Sequence, residues 1–321
     1  MKVLVTGGSG FIGSHVVEKL IEKGIKVLIY DLMFPEFLED LPSNKKKLID
    51  YYQGSLLEED RVRLAAASVD AILHLAAVAD VNDVVKEPRY AENLNVRGTF
   101  NILEAVRVSG KIKRVIYASS IWVYQDTVCE GILTEETPLS LPSHFYTATK
   151  LAGEAYCMSY SKLFNIPTTV LRFGIPYGPR ARETTVIALF VEKALRGEPL
   201  TIAGDGSQHR KFVYIEDLAE GCVLALKDIA KNKMYNLEGD EKVSIKQIAE
   251  TIETLIGGVE IKYIEGRKGD FSGKEISNEK AKKELGWALR TSFRQGINKY
   301  IQWYQENRKK IQEENVLGNL S

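Results

Sequence analysis

Cysteine is scarce in this chain. Cys129, Cys157 and Cys222 are odd in number and far apart, which excludes a disulfide framework and a cysteine-based metal centre. No metal is expected, and a reducing compartment such as the cytoplasm is the simple reading. An excess of either charge is also missing, because 43 Lys and Arg balance 43 Asp and Glu. Net charge therefore gives no reason to expect nucleic acid or an anionic membrane as a partner. No apolar run reaches the roughly 18 residues that a membrane span requires. The opening Met1-Lys2-Val3-Leu4-Val5 runs directly into a glycine turn and reads as a buried strand, not a signal peptide. What remains is an ordinary soluble composition, 45% hydrophobic and 27% charged over 321 residues. That is enough chain for one extended α/β domain or two linked ones.

Short apolar, β-rich runs alternate with helical spacing along the first half. Lys2–Thr6 is a predicted strand, Gly13–Lys23 a helix ended by Gly24, and Lys26–Tyr30 a second strand closing on Asp31. Further strands are predicted at Ala71–Leu75, Arg114–Ser119 and Pro167–Phe173, with helices over Tyr90–Ser109 and Phe145–Phe164. This alternation implies a Rossmann-type, doubly wound parallel sheet over residues 1–172. After Arg172, proline and glycine punctuate the chain at Pro176, Gly178, Pro179, Gly197, Pro199, Gly204 and Gly206. Residues 173–321 are therefore expected to form a smaller α/β substrate lobe, interleaved with the first. Its predicted helices cover Val186–Arg196, Glu216–Ile229, Ile245–Leu255 and Ser292–Gln312.

Three clusters carry chemistry. Gly7, Gly10 and Gly13, with Phe11 and Ile12 between them, stand at the first strand–helix junction. Glycine there permits a tight turn and close approach of a pyrophosphate to the helix N-terminus. Asp31, ending the second strand, is placed to accept from adenosine ribose hydroxyls, and its charge repels a 2′-phosphate. NAD is thus expected over NADP. Tyr146 and Lys150 lie four apart on a predicted helix, on one face. The ammonium favours the phenolate, drawing tyrosine below its usual pKa of about 10 and making it a general base. Ser119 and Ser120 end a buried strand at the carboxyl edge of the sheet, where a hydroxyl can hold a substrate oxygen.

With these clusters in order, the chain resembles the extended short-chain dehydrogenases/reductases, in their nucleotide-sugar epimerase/dehydratase branch. The resemblance also rests on His74-Leu75-Ala76-Ala77, Asn95-Val96-Arg97-Gly98-Thr99, Val123-Tyr124, Leu171-Arg172-Phe173 with Tyr177-Gly178-Pro179, Gly204-Asp205-Gly206, Phe212-Val213-Tyr214 and Glu284-Leu285-Gly286-Trp287. It implies that Ser120 bonds the reacting sugar oxygen, Tyr146 is the acid/base, and Lys150 binds the nicotinamide ribose and tunes Tyr146. It implies further NAD contacts at Ser55, Leu56, Leu75, Ala76, Ala77 and Asn95. Substrate contacts are implied at Ser119, Trp122, Ile175, Val186, Ile202, Arg210 and Arg267, the arginines serving the diphosphate. The chain departs from the family pattern at several positions: Ile175 replaces asparagine, Gly54-Ser55 replaces glycine–aspartate, Gln125 replaces glycine, and Lys211 replaces aspartate.

Sugar-nucleotide 4,6-dehydratases that resemble this chain carry Asp-Glu just after the active hydroxyl, where Ile121 and Trp122 stand here. The resemblance therefore implies 4-epimerisation of a nucleotide sugar, of the UDP-glucose/UDP-galactose type. The alternatives are NAD(P)H-dependent reduction of a nucleotide-4-keto-sugar and a non-catalytic cofactor-binding module. The Tyr90–Ser109 and Phe145–Phe164 helices carry apolar residues on more than one face, among them Phe100, Leu103, Val106, Met158 and Leu163. In the relatives the chain resembles such helices pair across a two-fold axis, so the resemblance implies a homodimer through a four-helix bundle.

Overall fold

The computed structural model describes residues 1–265 and 274–318, which fall into two compact units. Arg267 lies outside the described residues.

The first unit comprises Met1–Gly174, Glu216–Glu238 and residues 274–288. It is built on β1 (Lys2–Thr6), β2 (Lys26–Asp31), β3 (Ile49–Gln53), β4 (Ala71–His74), β5 (Arg114–Ser120) and β6 (Thr168–Phe173). The chain visits the second unit through β7 (Ile175–Tyr177), β8 (Leu200–Ala203) and β9 (His209–Tyr214), then returns to lay β10 (Lys233–Leu237) beside β6. The resulting order is β3-β2-β1-β4-β5-β6-β10, parallel throughout. Strands β4, β5 and β6 are buried along their whole length, as expected when helices cover both faces of a parallel sheet. Between β1 and β4 the direction of strand succession reverses. In open α/β sheets the crevice beyond the strand ends at that point receives the ligand.

The helix Phe145–Phe164 packs on β5, near the end of which the Ser119-Ser120 pair stands. A Cβ at Gly153 would collide with the Tyr117 hydroxyl, so glycine permits this close approach of helix and sheet. His144 caps the helix, its Nδ1 accepting from the Tyr146 amide at 3.1 Å. Asn165, at φ 54°, ends it in the left-handed region, where asparagine is among the tolerated residues.

One predicted helix is not continuous. Between Pro88–Glu92 and Gly98–Ser109 lies a π-helical turn, Asn93–Arg97. Such turns disturb the regular hydrogen-bond ladder and occur often at functional sites. Asn95 sits in the middle of it.

The second unit contains residues 175–215, 239–265 and 289–318. With β11 (Lys242–Ser244) and β12 (Ile261–Ile264) added, it holds a three-stranded sheet, β11-β9-β7, and the pair β12-β8. Its helices include Val186–Leu195, Ile245–Ile256 and Phe293–Gly318. Ile245–Ile256 starts with a capping box: Ser244 Oγ accepts from Gln247 N at 3.1 Å, and Gln247 Oε1 accepts from Ser244 N at 2.8 Å. Among the described residues no helix is long and apolar enough to cross a membrane.

Candidate active site

The glycine turn and the end of β2 form one end of the site. Gly7 has φ +71°, and a Cβ on it would fall 2.7 Å from the Ala76 amide nitrogen, so the turn lies directly against the Leu75-Ala76-Ala77 segment. At Gly10 an added Cβ would meet only the Gly7 carbonyl, at 3.3 Å. The helix α1 (Phe11–Glu22) starts there without a side-chain cap and without an acid in its first turn. Its positive end thus stands open to an anion. Asp31 leans back to this turn, Oδ2 accepting from Ser9 N at 3.0 Å and Oδ1 from Met33 N at 3.2 Å. The donors, the open helix end and the half-buried carboxylate suit a dinucleotide. The Gly7–Gly13 turn would hold its pyrophosphate and Asp31 its adenosine ribose.

A hydrogen-bond chain fixes the floor of this end. Thr99 Oγ1 donates to Asn95 O at 2.6 Å, so it accepts from His74 Nε2 at 3.0 Å. His74 Nδ1 then accepts from Thr6 Oγ1 at 2.8 Å, and that oxygen takes the amides of Leu75 and Ala76 at 3.2 and 3.3 Å. This order assigns the proton to Nε2. Burial, and secondarily the charge of Lys150, push the His74 pKa down to about 3, so the ring is neutral.

The reactive end is assembled from β5 and the Phe145–Phe164 helix. Tyr146 and Lys150 are 8% and 5% exposed. Lys150 Nζ stands 5.8 Å from the Tyr146 ring centroid and 5.3 Å from that of Tyr117, and it donates to Ala118 O at 2.9 Å. Burial lowers its pKa to about 8, against the opposing pull of Glu154. The Tyr146 ring packs with Val84 and Ala91. Ser120 is buried, and its Oγ accepts from Trp122 N at 3.2 Å, capping the short 3₁₀ turn Ile121–Tyr124. Trp122, 39% exposed, presents its ring 6.3 Å from that of His144.

Several of the residues expected to contact ligand also have partners within the chain. Ser119 turns toward the Phe145–Phe164 helix and donates to Glu154 Oε1 at 2.5 Å; consecutive strand residues project to opposite sides, so the two serine side chains point apart. Leu56 belongs to the hydrophobic core with Ile102, Leu103 and Val115. Ile202 is fully buried in β8. Asn95 spends its amide on the chain: Oδ1 accepts from Val78 N at 2.8 Å, and Nδ2 donates to Val78 O at 3.0 Å and Thr149 Oγ1 at 3.1 Å. It ties the loop after β4 to the helix of Tyr146. Ser55 opens the turn after β3, its amide donating to Glu58 Oε2 at 2.7 Å. In the second unit, Ile175 pairs in register with Phe212, and Arg210 with Val243, on the same small sheet. Arg210 Nη1 donates to His209 O at 2.8 Å. Val186 is half-buried at the start of its helix.

Sequence reasoning assigned no role to Glu154 and Arg172. Glu154 accepts Arg172 Nε at 2.9 Å and Nη2 at 2.8 Å, with both side chains buried. Its signal in the sequence was an acid at the i+4 position after Lys150, on the same helix face.

Comparison with known proteins identifies the family. Residues 3–237 match the NAD dependent epimerase/dehydratase family. The chain belongs to that family. Its cofactor is accordingly NAD. It is 32% identical over 95% of its length to a trifunctional UDP-glucose 4,6-dehydratase/UDP-4-keto-6-deoxy-D-glucose 3,5-epimerase/UDP-4-keto-L-rhamnose-reductase of Arabidopsis thaliana. It spans about half of that relative, 47%. It is also 32% identical to a putative UDP-glucose 4-epimerase of Methanocaldococcus jannaschii, covering 95% of this chain and 99% of the relative. Among solved structures it is similar to the UDP-glucose 4-epimerase of Thermotoga maritima with UDP-glucose, at 30% identity and TM-score 0.87. That match covers 96% of this chain and 99% of the other.

Proposed function

We propose that this protein is a nucleotide-sugar 4-epimerase, acting on a UDP-hexose through a transient 4-keto sugar. The observation that carries the reading is the buried Tyr146–Lys150 pair, with Lys150 held on the Ala118 carbonyl of β5, the strand that ends at Ser120, and with Ile121 and Trp122, not carboxylates, after that serine. Dehydration needs an acid for the departing 6-hydroxyl and a base for the C5 proton, and neither of those two side chains exchanges a proton. Held by the Gly7–Gly13 turn and Asp31, NAD would supply a reversible hydride acceptor for the sugar's C4. Tyr146 takes the 4-hydroxyl proton as the carbon is oxidised and gives it back when the carbon is reduced. Ser120 Oγ holds the same oxygen throughout. Lys150 supplies positive charge beside the phenol, held on β5 by the Ala118 carbonyl.

The UDP-sugar relatives and structural neighbours support the substrate class, and Arg210 is the residue we assign to its diphosphate. A homodimer through the Gly98–Ser109 and Phe145–Phe164 helices, located in the cytoplasm, completes the reading. Incubation of the purified protein with UDP-galactose or UDP-glucose and no added reductant is expected to yield the other epimer. Stoichiometric NADH loss with a nucleotide-4-keto-sugar, without epimer formation, would favour the reductase in its place.

A further inference from the structure

Glu154 and Arg172 reach Ser120 from both sides without touching it. Tyr146, Lys150 and Glu154 stand at i, i+4 and i+8 on one face of their helix. All three are buried, Glu154 at 3% exposed. Its carboxylate carries three charge-assisted or hydroxyl bonds, two from the Arg172 guanidinium and one from Ser119 Oγ at 2.5 Å. Ser119 and Arg172 are register partners on β5 and β6, so they present their side chains to the helix together. The remaining arm of Arg172, Nη1, donates to Tyr124 Oη at 2.6 Å. Tyr124 closes the turn that Ser120 caps, and its own hydroxyl lies 2.9 Å from Thr134 O and 3.0 Å from Asn236 Oδ1. The residue before Ser120 and the turn after it are therefore held by one ion pair, whose acid belongs to the helix of Tyr146 and Lys150.

We infer that Glu154, with Arg172, is a positioning pair that sets Ser120 against Tyr146. It clamps the carboxyl end of β5 and the Ile121–Tyr124 turn to the helix, so that serine and tyrosine oxygens reach the same substrate oxygen. A surface ion pair would not do this. A buried, bidentate pair has a fixed geometry, and each of its arms ends on a group next in the chain to the reacting serine or in the turn it caps. The inference rests on the epimerase reading for its catalytic consequence, while the clamp itself can be tested without turnover.

Glu154→Gln leaves Arg172 buried and unpaired and can fail to fold, so the decisive variants are Ser119→Ala, which severs one arm alone, and Tyr124→Phe, which severs the other together with the Thr134 and Asn236 contacts; both spare the ion pair. Two readouts apply. Hydrogen exchange of the 120–124 amides, with or without substrate, is expected to quicken about tenfold in each variant while β1 and β2 exchange as before. In the epimerase assay, kcat is expected to fall about tenfold with the KM for the nucleotide sugar and NAD affinity unchanged, as for an interaction used in the transition state. The double variant is expected to fall by less than the product of the two single losses, since both act through one clamp. Exchange at 120–124 unchanged in both variants would overturn the clamp whether or not the protein epimerises any sugar. Quickened exchange with kcat within twofold of the parent would overturn its positioning role. An inactive parent with quickened exchange in the variants supports the clamp and counts against the epimerase reading alone.

Discussion

Lys150 is the residue on which pH should act most directly. Burial brings its pKa from the ordinary lysine value of 10.5 down to about 8, with Glu154 opposing the shift. The ammonium is present below that value and lost above it, so turnover that depends on the charge should decline as pH rises through about 8. A pH–rate profile of the parent and of Lys150→Arg checks this: arginine stays charged, so whatever activity the variant keeps should hold further into alkali. A parent profile flat from neutrality to about pH 10 would contradict the role given to the ammonium. The placement of Tyr146, Lys150, Ser120 and the Gly7–Gly13 turn was legible in the sequence because it depends on short spacing along one helix or one strand–helix junction. Glu154 and Arg172 were not, because they are 18 positions apart and meet only when β6 is laid beside β5. The bond of Ser119 to Glu154 was hidden for a related reason. The placement of Ser120 was visible, but the alternation that sends the two serines to opposite sides becomes decisive only once a partner carboxylate is in place.

At the level of elements, the strands β1, β2, β4, β5 and β6 follow from apolar runs bounded by glycine and polar turns. Strand β3 escaped because it is an edge strand with mixed exposure and the sequence Ile49-Asp50-Tyr51-Tyr52-Gln53, which has no continuous apolar face. Strand β10 escaped because its register partners on β6 lie 64 residues earlier (Asn236 pairs with Arg172), across a visit to the second unit. The π-helical turn at Asn93–Arg97 had no propensity signal, since Asn95 there answers to Val78 and Thr149 and not to its own helix. His74 joins β1 to β4 at the cofactor end through Thr6, and this gives a second pH effect. Its folded pKa of about 3 lies below the ordinary 6.5, so the unfolded chain binds the proton more readily. Its contribution to stability is complete above about pH 6.5 and is lost as pH falls toward 3, by roughly 4–5 kcal/mol in all. Urea midpoints for the parent and His74→Gln should converge as pH drops from about 6.5 to about 4. Parallel curves over that range would contradict the assignment of a neutral, doubly bonded His74.

For the whole molecule, composition excluded more than it identified, and the two compact units are interleaved in a way that spacing along the chain does not record. The first unit takes back Glu216–Glu238 and residues 274–288 because β10 completes its sheet. The proposed dimer has a visible basis in exposed apolar groups on the Phe145–Phe164 helix: Met158, Leu163, which is 74% exposed, and Phe164, with Val108 on the Gly98–Ser109 helix. Leu163→Glu should lower the solution mass measured by light scattering from twice to once the chain's 36.0 kDa, with the fold intact by circular dichroism. A parent that is monomeric at micromolar concentration would remove this part of the reading.

The epimerase reading is tested most directly by tracing the hydrogen at C4. A panel of UDP-hexoses deuterated at that carbon, given to the NAD-loaded protein without reductant, should yield the C4-inverted sugar with the deuterium still on C4. Tyr146→Phe, prepared alongside, should keep its NAD and yield almost none. Absence of inverted product across the panel, deuterium released into free reduced cofactor, or full activity in Tyr146→Phe would contradict a tyrosine-driven 4-epimerisation.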